Sequence, residues 1–431
     1  MTLLLLRLRC DMPKWTIVVV LALAGLTVLA GAAYSVKLGN TLRFVDEKDY
    51  YAIAQNLVHG HGYSLDGIAP TAFRPPGYPL FLAVFIALGA NVVLLRILNF
   101  VMLAATMLLL YRFVRERGNW ISALAAPVMC AAYVVLFYTA GTLYPQTLAG
   151  LLLVLVIIVL ASRKPGWFTS GLLLGFLFGW LTLSVVHFLF SLVVVAAWLV
   201  ACRTEWHPRA RVGSVAVMTA IAALMVSVWV ARNEHALGAP VLTTNGGITL
   251  LHGNSEKAGW NSGASTDISA YAPKDTGLSE LQLDTYYRGQ AVDFIRHHKG
   301  RTIRLYASKV LNWFNYRNDL AQKSESSRAR DIVMLATYGP LLLLFIARLL
   351  FAGRIRPSRL EALLIILYFS NAFAYAVWHT RIRYRLPYDL LLIAIVALFI
   401  GNLAAARRPT ALPPQLAPSA APRHNQTGGS A

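Results

Sequence analysis

Long stretches without a charged side chain are the feature that most constrains the fold of this chain. No Asp, Glu, Lys or Arg occurs in residues 118–162, 165–202 or 212–231. A transmembrane helix needs about 20 consecutive, mostly apolar residues, and each of these windows is long enough for one or two. Only 13% of the chain is charged, against about 25% of a typical soluble domain. The sequence therefore predicts an integral membrane protein made of helices.

Clusters of basic residues between the apolar segments predict the orientation of the chain. Short loops rich in Lys and Arg stay on the cytoplasmic side of a membrane. Joining these clusters predicts an all-α polytopic membrane protein with both termini inside and about ten transmembrane helices, near 15–36, 92–112, 119–138, 146–162, 166–183, 187–202, 212–230, 332–351, 360–378 and 387–405. The same loops explain the formal net charge of +20. Because no nucleic-acid motif accompanies that charge, we predict no nucleic-acid partner.

The remaining segments give the predicted domain organisation. The apolar segment from Tyr78 to Gly89 would be a helix of about 18 Å, too short for a hydrocarbon core of about 30 Å, so we predict an interfacial half-helix. A run of small residues at 29–33 could be a signal-peptidase site, but the long apolar stretch favours an uncleaved anchor. We predict a transmembrane catalytic core (1–230) with a first external loop (37–91), an extracytoplasmic lobe (231–331), C-terminal transmembrane helices (332–406) and a disordered cytoplasmic tail (407–431).

A dense acidic cluster follows the first predicted crossing. Asp46, Glu47 and Asp49 fall within four residues, and carboxylates beside a membrane are costly to desolvate. Two compatible interpretations remain at this point. Asp46 is a suitable N-cap for the helix that follows, and a carboxylate held rigidly there can also accept a proton in catalysis. His59 follows in a polar turn, where it does not have the spacing of a metal ligand.

Arginines occur in two of the predicted external loops, and the second of these is a short loop that should be poor in them. Arg74 opens a stiff Arg-Pro-Pro-Gly turn, and Arg381, Arg383 and Arg385 occupy a short external loop. Local alternation predicts that the last three share one face of an extended strand. Guanidinium groups bind phosphate oxygens in a bidentate manner, so we predict a phosphate-bearing lipid as partner. The alternatives are a snorkelling side chain at Arg74 and ordinary headgroup binding by the other three.

Four motifs occur in order along nearly the whole chain, from about residue 14 to residue 405. They are Asp46-Glu47-x-x-Tyr50, Arg74-Pro75-Pro76-Gly77-Tyr78-Pro79, Thr244-Asn245-Gly246-Gly247 and Arg383-Tyr384-Arg385-Leu386-Pro387. Together they resemble the GT-C glycosyltransferases. The group that they resemble is the bacterial relatives of the dolichyl-phosphate-mannose protein mannosyltransferases and of the aminoarabinose transferases that modify lipid A.

The resemblance implies an inverting glycosyltransferase of the bacterial inner membrane, with its active site on the extracytoplasmic face. It would move a sugar from a polyprenyl-phosphate donor to an extracytoplasmic lipid, glycan or protein, among membrane lipids. Asp46 would be the base, with Glu47 as its catalytic neighbour, and the donor phosphate would bind Arg381, Arg383, Arg385 and Arg74. Further residues that could line the site are Asp49, Tyr50, His59, His187, Gln146, Asn245 and Tyr384.

This chain departs from the family pattern at two positions. Gln146 stands where the family has an acidic residue, and Leu183-Ser184-Val185 stands where relatives have Thr-Arg-Pro. A second carboxylate is therefore missing, so no metal site is predicted, although a divalent metal is possible. The three cysteines are far apart in sequence, which predicts neither a disulfide nor zinc. Two other functions are compatible with the sequence: a transporter or flippase of a lipid-linked sugar, and a catalytically inactive GT-C-like binding protein.

Overall fold

A computed structural model describes residues 13–275, 277–317 and 327–406. Within these ranges the chain forms α-helices and short 3₁₀ turns, and the only β-type pairing is an isolated bridge between Ser64 and Pro70. The predicted disordered tail 407–431 and the first twelve residues lie outside the described ranges. The helices are α1 Trp15–Leu38, α2 Val45–Val58, α3 Gly77–Ala87, α4 Val92–Arg115, α5 Trp120–Ala132, α6 Val134–Ala140, α7 Gln146–Ala161, α8 Trp167–Ser184, α9 Phe188–Cys202, α10 Pro208–Leu237, α11 Gly246–Gly253, α12 Glu280–His297, α13 Lys299–Asn312, α14 Arg328–Leu350, α15 Arg359–Ala376 and α16 Ile382–Ala406.

The helices confirm the predicted class of an all-α polytopic membrane protein. Seven of them are long and apolar enough to cross a membrane: α1, α4, α8, α10, α14, α15 and α16. Helices α5 and α6 form an eighth candidate, bent by 59°. Helices α7 and α9 correspond to two further predicted crossings, but they have only 16 and 15 residues. Helix α3 has 11 residues, which agrees with the prediction that this segment does not span.

Three glycines bring α8 and α10 into close contact. Gly171, Gly175 and Gly179 repeat at every fourth residue, so they lie on one face of α8. A Cβ atom added to Gly171 would be 2.7 Å from the Ser214 carbonyl oxygen, and one added to Gly175 would be 2.7 Å from that of Met218. Small residues at this spacing let the backbones of membrane helices approach each other.

The lobe is formed by α11, α12 and α13, between α10 and α14. Helix α10 continues to Leu237, seven residues beyond the predicted crossing, so the turns of the lobe begin later than predicted. The buried ammonium of Lys309 on α13 donates to the carbonyl oxygens of Gly253, at 3.0 Å, and Trp378, at 2.9 Å. On α12, the Glu280 carboxylate accepts from the Thr71 hydroxyl at 2.6 Å. The lobe is thus tied both to the turn before α16 and to the first external loop.

Candidate functional site

The start of α2 gives its two carboxylates different surroundings. Glu47 is fully buried and its carboxylate accepts from the backbone amides of Arg43 at 2.9 Å, Phe44 at 3.2 Å and Leu143 at 2.9 Å. Phe44 is the N-cap, so the predicted capping role of Asp46 is wrong and Glu47 stabilises the helix start instead. Fully buried and held by three backbone amides, Glu47 stabilises the start of α2, and its catalytic role stays a prediction.

Asp46 lies on the first turn of α2 between two guanidinium groups. Its Oδ1 accepts from Nη2 of Arg74 at 2.5 Å, and its Oδ2 accepts from Nη1 of Arg383. Arg74 also donates to Asp49 at 2.7 Å. Burial alone would raise the pKa of Asp46, but attraction to Arg383 and Arg74 outweighs burial and lowers that pKa below its usual value. Asp46 is therefore ionised, and its charge is balanced on both sides.

The proline-rich turn before α3 fixes the position of Arg74. The Tyr63 hydroxyl donates to the Arg74 carbonyl oxygen at 2.8 Å, and the guanidinium lies over the rings of Tyr50 and Phe73. Only 13% of the Arg74 side chain is exposed. The sequence left open a snorkelling arginine at this position. The ion pairs with Asp46 and Asp49 show that the side chain points into the protein instead.

The three arginines of the external loop point in three directions. Helix α16 begins at Ile382, so the predicted extended strand is wrong. Successive helical residues are rotated by about 100°, which turns Arg385 about 200° away from Arg383. Arg383 contacts Asp46, whereas Arg381 donates to the Ser262 carbonyl and the Ser265 hydroxyl of the lobe, each at 2.6 Å.

Arg385 belongs to a buried polar network within the helix bundle. It is 1% exposed and pairs with Asp389 on the next turn of α16 at 3.0 Å. It also donates to the carbonyl oxygens of Trp313 and Asn315 and to the Tyr133 hydroxyl. Asp389 is a carboxylate within an apolar membrane helix, and such a group is usually paired with a cation. The sequence analysis did not use Asp389 to predict this partner for Arg385. The network takes the donors of Arg385 that were predicted to bind phosphate.

A cavity of about 390 Å³ lies beside Asp46, within the usual range of ligand sites. It is bounded by the first external loop, the turn between α8 and α9, helix α11 and the start of α16. The predicted site residues that line it are Asp46, Asp49, Tyr50, Arg74, Gln146, His187, Asn245, Arg383 and Tyr384. Four others do not line it: Glu47, Arg381 and Arg385, for the reasons above, and His59, which is exposed on the external loop.

Two histidines that the sequence analysis did not single out also line the cavity. His379 is buried, and its Nε2 is 3.2 Å from the Tyr384 hydroxyl, which in turn accepts from Arg383 at 3.3 Å. The ring of His252 lies edge-on to that of His379. Burial, aided by the charge of Arg381, lowers the pKa of His252 to about 4 and that of His379 well below its usual value. Both rings are therefore neutral near pH 7. In the sequence, the position of His379 two residues before Arg381 could have identified it as a site residue.

The turn between α8 and α9 presents His187 to the cavity. Its ring stacks on Tyr375, with centroids 4.1 Å apart and an interplanar angle of 7°, and it meets Trp378 edge-on at 4.9 Å. Burial lowers the pKa of His187 to about 4, so the imidazole is neutral at physiological pH. The two aromatic neighbours fix the direction of the ring.

The described residues contain no group of three or more His, Cys, Asp or Glu side chains arranged to hold a metal ion. At the acidic end of the cavity, both oxygens of Asp46 are engaged by guanidinium groups. As placed here, the Asp46 carboxylate is therefore engaged by guanidinium groups rather than by a cation site.

The fold and the site together define a multi-pass membrane protein with a charged cavity between its helix bundle and its lobe. No protein-family model and no curated protein matches the chain. Solved structures similar to it include the archaeal oligosaccharyltransferase AglB from Archaeoglobus fulgidus, in complex with an inhibitory peptide and a dolichol-phosphate. Its TM-score is 0.49 at 13% identity, over 91% of this chain and 51% of that one.

Two other solved structures are similar over most of the chain. A complex of the Archaeoglobus fulgidus oligosaccharyltransferase with Zn and sulfate has a TM-score of 0.45 at 14% identity, over 88% of this chain and 49% of that one. ArnT from Cupriavidus metallidurans, in the apo state, has a TM-score of 0.41 at 11% identity, over 90% of this chain and 78% of that one. The chain thus spans about half the length of the oligosaccharyltransferases.

These likenesses are all below 25% identity, so the GT-C class stays a prediction from the sequence motifs. All three TM-scores lie below 0.5, so the chemistry of the site is inferred from the contacts of this chain's own residues.

Proposed function

We propose that this protein is an inverting glycosyltransferase that moves a sugar from a polyprenyl-phosphate donor to an acceptor outside the cytoplasm. The observation that carries the proposal is the meeting of Asp46 and Arg383 at one cavity. A carboxylate that can accept a proton and a guanidinium that can hold a phosphate lie side by side there. These are the two groups that sugar transfer from a phosphate needs.

Helix termini support the binding of a phosphate at this cavity. Its lining includes residues at the amino ends of five helices: Asp46 of α2, Gln146 of α7, His187 before α9, Gly246 of α11 and Arg383 of α16. The amino end of a helix carries a partial positive charge and favours anions. The four charged side chains of the cavity balance each other, so these termini supply the additional attraction for an anionic ligand.

Binding of the donor would rearrange the ion pairs of Asp46. Arg383 is 27% exposed and its Nε is buried without a hydrogen-bond partner in the described part of the chain. When the donor phosphate arrives, Arg383 turns from Asp46 to the phosphate, and Arg74 alone holds the carboxylate. The loss of one neighbouring positive charge raises the pKa of Asp46 and makes it a better base. Donor binding thus activates the base.

The reaction then needs one base and one leaving group. Asp46 takes the proton of an acceptor hydroxyl, and the oxygen of that hydroxyl attacks the anomeric carbon of the sugar. The bond between this carbon and the phosphate oxygen breaks, and the phosphate leaves with the electron pair. Arg383 stabilises the charge that grows on the phosphate. Attack from the face opposite to the phosphate inverts the anomeric configuration.

The proposed location is the bacterial inner membrane, with the cavity on the extracytoplasmic face. The support is the charge distribution, since the basic clusters at 112–117, 203–211 and 354–359 lie at the ends of the apolar helices away from the cavity-lining turns. Such clusters favour the cytoplasmic side. Residues 231–331 would then form the extracytoplasmic lobe and, with the first external loop, one wall of the acceptor cleft.

The test uses the purified full chain in lipid nanodiscs, a polyprenyl-phosphate-linked radiolabelled sugar and an extract of cell-envelope lipids and glycans as acceptor. We expect the label to move to an acceptor, and Asp46→Asn to lower the rate by a factor of about 10²–10⁴. The matched control is Asp66→Asn on the exposed part of the same loop, which should leave the rate unchanged. Full activity of Asp46→Asn would refute the base. Movement of the intact lipid-linked sugar across the bilayer without transfer would identify a flippase instead.

A further inference from the structure

Three uncharged polar side chains line the cavity at neighbouring helix ends, and we call them the neutral wall. Gln146 is the first residue of α7, Ser184 is the last residue of α8, and His187 lies in the turn before α9. Gln146 Oε1, Ser184 Oγ and His187 Nε2 are buried and have no hydrogen-bond partner in residues 13–275, 277–317 and 327–406. Leaving a buried polar atom unpaired costs about 1–3 kcal/mol. Three such atoms on one cavity wall indicate that a ligand supplies their partners.

The side chains on this wall are held in place. Gln146 is 7% exposed and Ser184 is 1% exposed. A Cβ atom on Gly77 would be 2.6 Å from the Ser184 hydroxyl, so the turn that carries Arg74 packs directly against it. The rings of Tyr375 and Trp378 hold His187 on two sides. Preorganised polar atoms beside aromatic surface suit a ligand with several hydroxyl groups on a rigid ring, because both its apolar and its polar parts find partners.

The charged side chains of the cavity are already paired with each other. Arg74 bridges Asp46 and Asp49, and Arg383 holds the second oxygen of Asp46. The neutral wall itself offers no carboxylate, and two helices begin there, at Gln146 and just after His187. A positively charged substituent placed against this wall would be desolvated without a counterion and would meet the positive ends of these helices.

We propose that Gln146, Ser184 and His187 bind the hydroxyl groups of an uncharged sugar and reject a sugar that carries a protonated amine. This inference rests on the proposed function and adds the class of sugar to it. The hydroxyl groups belong either to the sugar of the donor or to a glycan acceptor, and the measurements below separate these sources.

The first experiment measures binding of three probes to the full chain in nanodiscs at pH 7.5, by the fluorescence of its tryptophans. The probes are a short polyprenyl phosphate, the same lipid carrying glucose, and the same lipid carrying glucose with one hydroxyl replaced by an amine. We expect the glucose lipid to bind at least about tenfold more tightly than the bare phosphate, from two or more new hydrogen bonds. The amino-sugar lipid should bind no better than the bare phosphate. Equal binding of the two sugar lipids would overturn the proposal.

Variants of the neutral wall provide the second measurement. His187→Ala should weaken binding of the glucose lipid about tenfold and leave binding of the bare phosphate unchanged. His187→Gln should restore part of the lost affinity. His59→Ala, on the exposed loop, is the matched control. Gln146→Glu should strengthen binding of the amino-sugar lipid about tenfold, because the new carboxylate is a counterion for the amine. An unchanged preference in both His187→Ala and Gln146→Glu would overturn the assignment of this wall.

The outcomes separate this inference from the proposed function. If the bare polyprenyl phosphate does not bind and Arg383→Gln changes nothing, the proposed donor site is wrong. If the phosphate binds but the chain does not distinguish the two sugars, only the inference is wrong. If His187→Ala leaves the Kd of the glucose lipid unchanged but raises the KM of a neutral glycan acceptor in the transfer assay, the wall binds the hydroxyl groups of the acceptor. Unchanged binding of the bare phosphate also confirms that each variant is folded.

Discussion

Arg383 and Asp46 form a hydrogen-bonded ion pair although 337 positions separate them in the sequence. Each lies on the first turn of its helix, Asp46 on α2 and Arg383 on α16. A carboxylate on a first turn is favoured by the helix dipole, and an arginine there is not. Arg383 therefore depends on Asp46 for its charge balance until an anionic ligand replaces that carboxylate.

Substitutions of Arg383 and Arg385 should have different effects, one on ligand binding and the other on stability. Arg383→Gln should weaken the binding of polyprenyl phosphate, because it removes a guanidinium that is 27% exposed at the cavity, while thermal unfolding changes little. Arg385→Gln leaves the Asp389 carboxylate buried without its cation, at a cost of about 3–5 kcal/mol in the free energy of unfolding. Thermal unfolding in detergent and lipid binding, measured on both variants, test the contrast. Equal loss of lipid binding in two equally stable variants would contradict it.

Substitutions of the neighbours Asp46 and Glu47 should also differ in their effects on stability and on the transfer rate. Glu47→Gln removes a charge that three backbone amides share, so we expect a loss of about 2 kcal/mol in the free energy of unfolding. Asp46→Asn should lower the transfer rate by a factor of about 10²–10⁴ with a much smaller loss of stability, because 20% of its side chain is exposed and its proposed role is that of the base. Thermal unfolding and the transfer rate are measured on the same preparations. If the Glu47→Gln protein is stable but inactive, Glu47 takes part in catalysis and its role is not only structural.

The contact between α8 and α10 gives a test of the fold alone. Gly175→Ala would place a methyl group against the Met218 carbonyl, so the helices must separate, at a cost of about 1–3 kcal/mol. Gly25→Ala on α1 is the matched control, because nothing lies within 4 Å of its added Cβ. That control should keep or slightly raise the unfolding temperature, since alanine favours a helix. Equal unfolding temperatures for the two variants would show that the close approach is not needed.

Acid should destabilise the region around His252 and His379. Their pKa values are lowered in the folded protein, so below about pH 6.5, the ordinary pKa of histidine, the unfolded chain binds protons that the folded chain does not. The free energy of unfolding therefore falls as the pH decreases from 6.5 towards 4, and this contribution is constant above that window. Unfolding temperatures recorded between pH 4 and 8 test this. His252→Gln should reduce the slope, whereas the exposed His59→Gln should not.

The sequence predicted much of this protein because membrane insertion depends on local composition. Windows without charge predicted the helical segments, and the length of the segment at Tyr78 excluded a crossing there. The sequence also selected Asp46, Arg74 and Arg383, because charged side chains beside a membrane stand out in an apolar chain. The shared face predicted for Arg381, Arg383 and Arg385 was wrong, because this segment starts a helix, and His59 and Glu47 do not line the cavity.

Only the tertiary structure decided which charged groups meet. The direction of Arg383 and Arg385 depends on the residue at which α16 begins, since each position turns the side chain by about 100°. The partners of Glu47, His187 and Arg383 come from segments far away in the sequence, so no local pattern contains them. The hydrophobicity of a segment is a sum over consecutive residues, so it can be read from the sequence. A pairing between distant residues exists only after the helices have packed.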